Sequence, residues 1–81
     1  MQLQIVGVDQ KEQFNVSWVE LQTQVGNVII QPQHAPMILQ LQPNSQIRFC
    51  LDSSKQKTIE ITAGFAHITR EDVTILINNN L

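Results

Sequence analysis

A single cysteine, Cys50, leaves this 81-residue chain without an internal disulfide or a cysteine zinc site. A buried, reduced thiol is its expected role. Positive charge is equally sparse: the five cations, Lys11, Arg48, Lys55, Lys57 and Arg70, are dispersed and the net charge is −2, so there is no basic stripe on which a phosphate backbone could lie. Nucleic acid is excluded as a partner. No stretch approaches the roughly 20 apolar residues of a membrane-spanning helix, and the start at Met1 lacks the basic and apolar blocks of a signal peptide. A soluble cytosolic chain without direct membrane insertion is expected.

Catalytic patterns are missing as well. The three glycines stand far apart at positions 7, 26 and 64, so no glycine-rich loop cradles phosphate and no glycine-rich elbow presents Cys50 as a nucleophile. His34 and His67 are isolated from each other and from Cys or carboxylates at ligand spacing, which argues against a metal. Glu71 and Asp72 are adjacent; on a strand they would face opposite ways and could not act as a carboxylate pair. At this mass the folded surface scales to roughly 4,900 Å² against about 13,300 Å² unfolded, enough for one small core and little room for a cleft. Neither an enzyme nor a cofactor site is expected.

What is present is β-forming. Apolar residues make up 42% of the chain, too many for disorder, and Ile, Val and Thr far outnumber Ala. Alternation of period two recurs in short segments closed by turn residues. Leu3 and Ile5 alternate with glutamines, and Asp9 to Glu12 reads as a polar turn. A longer strand is expected from Phe14 to Val25, with Val19 and Leu21 on one face. Gly26-Asn27 tolerates positive φ and predicts a tight turn into Val28 to Gln31. Pro32 and Pro36 each remove a ladder donor, which makes Pro32-Gln33-His34-Ala35-Pro36 a shaped loop with a His34 ring nitrogen bonded to nearby backbone.

Met37 to Gln42 resumes as a strand, and Pro43-Asn44 suits the centre of a turn. Ile47, Phe49 and Leu51 then share a face, Asp52 to Lys57 reads as an exposed loop, and Thr58 to Thr62 alternates cleanly. A short strand from Gly64 to Ile68, a turn at Arg70 to Asp72 and a strand from Val73 to Ile77 complete the pattern. The expected fold is all-β, a small antiparallel β-sandwich of about eight to ten short strands over residues 1–77, with a frayed tail at 78–81. Such a chain acts through its surface, chiefly its loops.

Three segments together form a recognisable pattern: Val16 to Gly26 (VSWVELQTQVG), Asn27 to Ile38 (NVIIQPQHAPMI) and Ile59 to Leu76 (IEITAGFAHITREDVTIL). They resemble the N-terminal β-sandwich domain of the epsilon subunit of F-type ATP synthases, called delta in mitochondria. The stretch through Pro32-Gln33-His34-Ala35-Pro36 is the most specific, and the resemblance covers about residues 1–77. Where the family often has a second glycine this chain has Ile29; Asn44 replaces a glycine, and Asn27 stands where an acidic residue is common.

The resemblance implies a non-catalytic central-stalk subunit that links the gamma subunit to the c-ring, peripheral on the cytoplasmic face of the coupling membrane, without a cofactor or a disulfide-linked partner. It assigns partner contacts to Gly26, Asn27, Pro32, Gln33, His34, Ala35 and Pro36. Family members continue into an inhibitory helical hairpin beyond this point, so coupling without that lever is the expectation. The alternative from another class is a free-standing β-sandwich adaptor for a different protein.

Overall fold

The computed structural model describes residues 1–78. Eight strands follow one another in the order β1 (Gln2–Val6), β2 (Lys11–Thr23), β3 (Gly26–Ile30), β4 (Met37–Gln40), β5 (Ser45–Leu51), β6 (Gln56–Ile61), β7 (Gly64–Ile68) and β8 (Asp72–Ile77). In one layer the order is β4-β7-β8-β1-β2; in the other, β3 and β5 flank the second half of β2, with β6 outside β5. At 13 residues β2 is long enough to serve both layers. It changes layer at a bulge, where the register slips between Val16 and Trp18. The extra residue, Ser17, lets Val16 and Val19 both point into the core although an even alternation would separate them, and Ser17 Oγ donates to the Cys50 carbonyl at 3.4 Å.

Alternation sets the core. Leu3 and Ile5, Ala66 and Ile68, and Val73 and Ile75 face inward from the first layer; Val19, Leu21, Ile30, Ile47, Phe49 and Ile61 meet them from the second. The surface of 5085 Å² agrees with the value scaled from mass, so the chain has the burial expected of a single core.

The structure refines several expectations, among them the loop expected at Asp52 to Lys57, whose last two residues open β6. The sandwich is antiparallel except for β1 and β8, which run parallel from Gln2 opposite Asp72 to Val6 opposite Leu76. Chain ends that meet as neighbours are invisible to local periodicity. Lys11 and Glu12 belong to β2, paired with Val6 and Ile5, so the β1–β2 turn is Gly7 to Gln10. The two-residue hairpin loop is Gln24-Val25, not Gly26-Asn27. This register sets Val19 against Ile30 and Leu21 against Val28, apolar to apolar, and leaves Thr23 at the end, where its Oγ1 donates to the Gly26 carbonyl at 2.8 Å and accepts the Val25 amide at 3.3 Å. Gly26 opens β3 with φ of 122°, a conformation only glycine adopts readily. Finally, β4 ends at Gln40, because Leu41 bridges to Thr23 instead of continuing along β7.

Pro43-Asn44 forms the expected turn: Asn44 has φ of 53°, and Ser45 Oγ donates to the Gln42 carbonyl at 2.6 Å. Of the expected tail, Asn78 donates its amide to the Ala63 carbonyl at 3.0 Å, and residues 79–81 lie outside the described residues.

Candidate docking surface

The two sequence-derived segments occupy opposite ends of β3. Gly26 and Asn27 adjoin the β2–β3 hairpin, whereas Pro32 to Pro36 follow Ile30, about 13 Å further along at the usual rise per residue. They do not form one patch. Around the hairpin gather the Pro43-Asn44 turn, tied in by Gln42 N–H to the Gln22 carbonyl at 2.8 Å, and the 62–63 turn, tied in by Asn44 N–H to the Thr62 carbonyl at 2.9 Å. The β1–β2 turn lies at this end too, since it follows Val6, which pairs with Leu76 near the end of β8, and Asn78 just beyond β8 is bound to Ala63. Asp9 is the one formal charge among these four turns, and Val8 and Val25 project into solvent.

The opposite end is ionic. Asp52 and Lys55 lie in the β5–β6 loop and Arg70 and Glu71 in the β7–β8 turn. The Pro32–Pro36 loop is pinned here by the Gln33 amide, which donates to the Arg70 carbonyl at 2.9 Å with Gln33 at φ of 68°. A His34 ring nitrogen bonds nearby backbone: Nδ1 lies 2.9 Å from the Ala35 carbonyl, which can only accept, so Nδ1 is the donor in this contact. Pro36 delivers the chain directly into β4, while Pro32, Gln33 and Ala35 stay exposed.

The outward faces of the two layers differ just as sharply. On the first, Phe65 stands opposite Leu76, and Ile38, opposite His67, is diagonal to Phe65; all three apolar side chains are more than half exposed. Neighbours at such spacing form a continuous apolar patch. The second face pairs its charged groups and exposes one large apolar side chain, Ile29, across from Glu20. Arg48 reaches Glu20 at 3.0 Å and lies 5.8 Å from the Trp18 ring centroid, and Cys50, cross-strand from Trp18, is buried with Sγ 3.5 Å from the Leu51 carbonyl.

Local reading of the sequence missed the face formed by Ile38, Phe65 and Leu76, because its members come from three strands. No Asp, Glu, Lys or Arg occurs between Glu20 and Arg48, and this neutral span holds all seven sequence-derived contact residues and Ile38, but not Phe65 or Leu76. Among the described residues no three His, Cys, Asp or Glu side chains gather where they could hold a metal.

The fold is a two-layer β-sandwich with an apolar patch on one outer face, one end whose turns carry a single formal charge and one ionic end, the class of a small all-β domain with surfaces fit for docking. Residues 1–80 match the beta-sandwich domain of the ATP synthase delta/epsilon chain. The chain belongs to that family. It is 31% identical over 77 residues to the ATP synthase epsilon chain of Mycobacterium avium (strain 104), an alignment covering 94% of this chain and 64% of the relative. The chain thus spans a little under two thirds of the length of such curated relatives. In solved structures, the fold is similar to a chain of the Euglena gracilis mitochondrial ATP synthase OSCP/F1/c-ring assembly, with a TM-score of 0.85, 23% identity and coverage of 93% of this chain and 48% of that one. A chain of the Tetrahymena thermophila mitochondrial ATP synthase central stalk and c-ring matches with a TM-score of 0.81 at 13% identity, over 98% of this chain and 63% of that one. Both confirm the sandwich.

Proposed function

We propose that this chain is a non-catalytic central-stalk subunit of an F-type ATP synthase that fastens the gamma subunit to the c-ring so that rotation transmits torque. The family match across residues 1–80 carries this reading. The surface supports a division of labour. Gamma packs on the outer face bearing Ile38, Phe65 and Leu76, where burial of each large apolar side chain contributes roughly 1.5–3 kcal/mol before the costs of association. The Pro32–Pro36 loop borders this contact, since Pro36 leads into the strand that carries Ile38. The hairpin end, with Gly26 and Asn27, rests on the polar loops of the c-ring. With Asp9 the one formal charge in its turns, few ion pairs can form there, so the strength of this contact should depend little on salt.

On this reading the chain contributes no active site and is peripheral on the cytoplasmic side of the membrane. Asn27→Ala with His34→Ala, combined in one chain, should weaken capture by cognate gamma and c-ring while leaving the melting temperature nearly unchanged. Intact capture together with a large loss of stability would reassign both side chains to holding the sandwich together.

A further inference from the structure

Three strands end the sheets of this sandwich, and they are treated differently. The outer strand β6 carries Lys57 and Glu60; Lys57 pairs with the fully buried Phe49, which places it on the core-facing side, and its Nζ lies 5.4 Å from the Phe14 ring centroid. A lysine on an edge strand is a common device that prevents the edge from pairing with another chain. The strand β3 has no such device. Its sequence, GNVII, contains no charge, no proline and no bulge, and among the described residues it pairs with β2 alone.

Ladder geometry shows which groups are free. In a two-residue hairpin the flanking residues, here Thr23 and Gly26, exchange both hydrogen bonds, and bonded pairs alternate along the ladder. Val28 and Ile30 therefore bond to β2, while the N–H and C=O groups of Asn27 and Ile29 point away from it along the open edge. The β4 edge is also uncharged and is joined to β3 by the Pro32–Pro36 arch, so neither of these two edge strands carries a charge of its own.

We propose that the β3 edge accepts an extended, uncharged segment of gamma as an added strand, bonded to the main chain of Asn27 and Ile29. The inference rests on the stalk reading above and assigns a second mode of contact to it. A neutral edge complements a neutral strand, since a charged one would be desolvated against Ile29 and Val28 with no counter-charge on β3, and Glu20 across from Ile29 is already paired with Arg48. Self-pairing of β3 from two copies is the competing occupant. Five residues a side bury far less than the roughly 1,200 Å² of a stable specific interface, so this contact alone would not hold a dimer.

Ile29→Pro removes an outward N–H and no bond to β2, so the variant should fold, whereas Val28→Pro deletes a ladder donor. With purified cognate gamma as the probe, Ile29→Pro should bind about tenfold or more weakly, Ile29→Val should bind as wild type, and the wild-type amides of Asn27 and Ile29 should exchange hydrogen at least about tenfold more slowly in the complex. Equal binding by Ile29→Pro, or unchanged exchange at both amides in a complex that does form, would overturn the added strand. Failure of the wild type to bind gamma at all would instead overturn the stalk reading. A gamma-free dimer abolished by Ile29→Pro would give the edge to a second copy and overturn gamma as its occupant.

Discussion

Gly64→Ala tests whether the join between the last two strands is as tight as the geometry requires. Gly64 opens β7 opposite Ile77, and a Cβ placed on it would lie 2.7 Å from the backbone carbonyl oxygen of Leu76. That atom is not the end of a flexible side chain. To make room, β8 must move relative to β7, which disturbs the Leu41 amide bonded to the Gly64 carbonyl at 3.0 Å and the inward-facing Ile75 on β8. Overpacking of this kind costs about 1–3 kcal/mol. For a domain of this size each kcal/mol lowers the melting temperature by roughly 4–8 °C, so a cost near the middle of the range, about 2 kcal/mol, corresponds to a drop of roughly 8–16 °C. Thermal unfolding followed by far-ultraviolet circular dichroism, with urea titration as a check on slope, measures it. A melting temperature within about 2 °C of wild type, with an unchanged slope, would refute the claim that Gly64 is required by space.

The other predictions divide by mechanism. Gly26→Ala meets no atom within 4 Å, yet the backbone φ of 122° should still cost about 1–3 kcal/mol, so a neutral outcome in urea titration would show that the hairpin relaxes. Phe49→Ala removes the largest fully buried side chain and should cost about 3–5 kcal/mol, visible as a large fall in the urea midpoint. Arg48→Ala should cost less than about 1 kcal/mol, because the guanidinium side chain is 49% exposed and water screens its pairing with Glu20. Phe65→Ser with Leu76→Ser, on the exposed patch, should change stability little and weaken gamma binding at least tenfold; unaltered binding by calorimetry would move the gamma contact elsewhere.

Much of the fold was legible because period-two alternation and turn chemistry are local. Thr58 to Ile61, Pro43-Asn44 and the start of β7 at Gly64 follow from neighbours in sequence alone. The parallel pairing of β1 with β8 was not legible, since nothing near Leu3 announces Val73 as its partner. The hairpin was displaced by two residues for a related reason. Gly26 signals positive φ but does not say which turn position it fills, and the choice falls to cross-strand pairing of Val19 with Ile30 and Leu21 with Val28. The proposed contact residues were read as motifs, and only the three-dimensional arrangement separates Gly26 and Asn27 from the Pro32–Pro36 loop. The apolar face was out of reach for the same reason, being assembled from β4, β7 and β8.

The central claim is that this domain joins gamma to the c-ring. Purified chain, with folding verified by circular dichroism, can be presented to cognate gamma bound to detergent-solubilised c-ring, and complex formation followed by analytical ultracentrifugation. One copy per gamma–ring assembly at micromolar concentration or below is the predicted result. A folded chain that sediments alone at these concentrations would contradict the account.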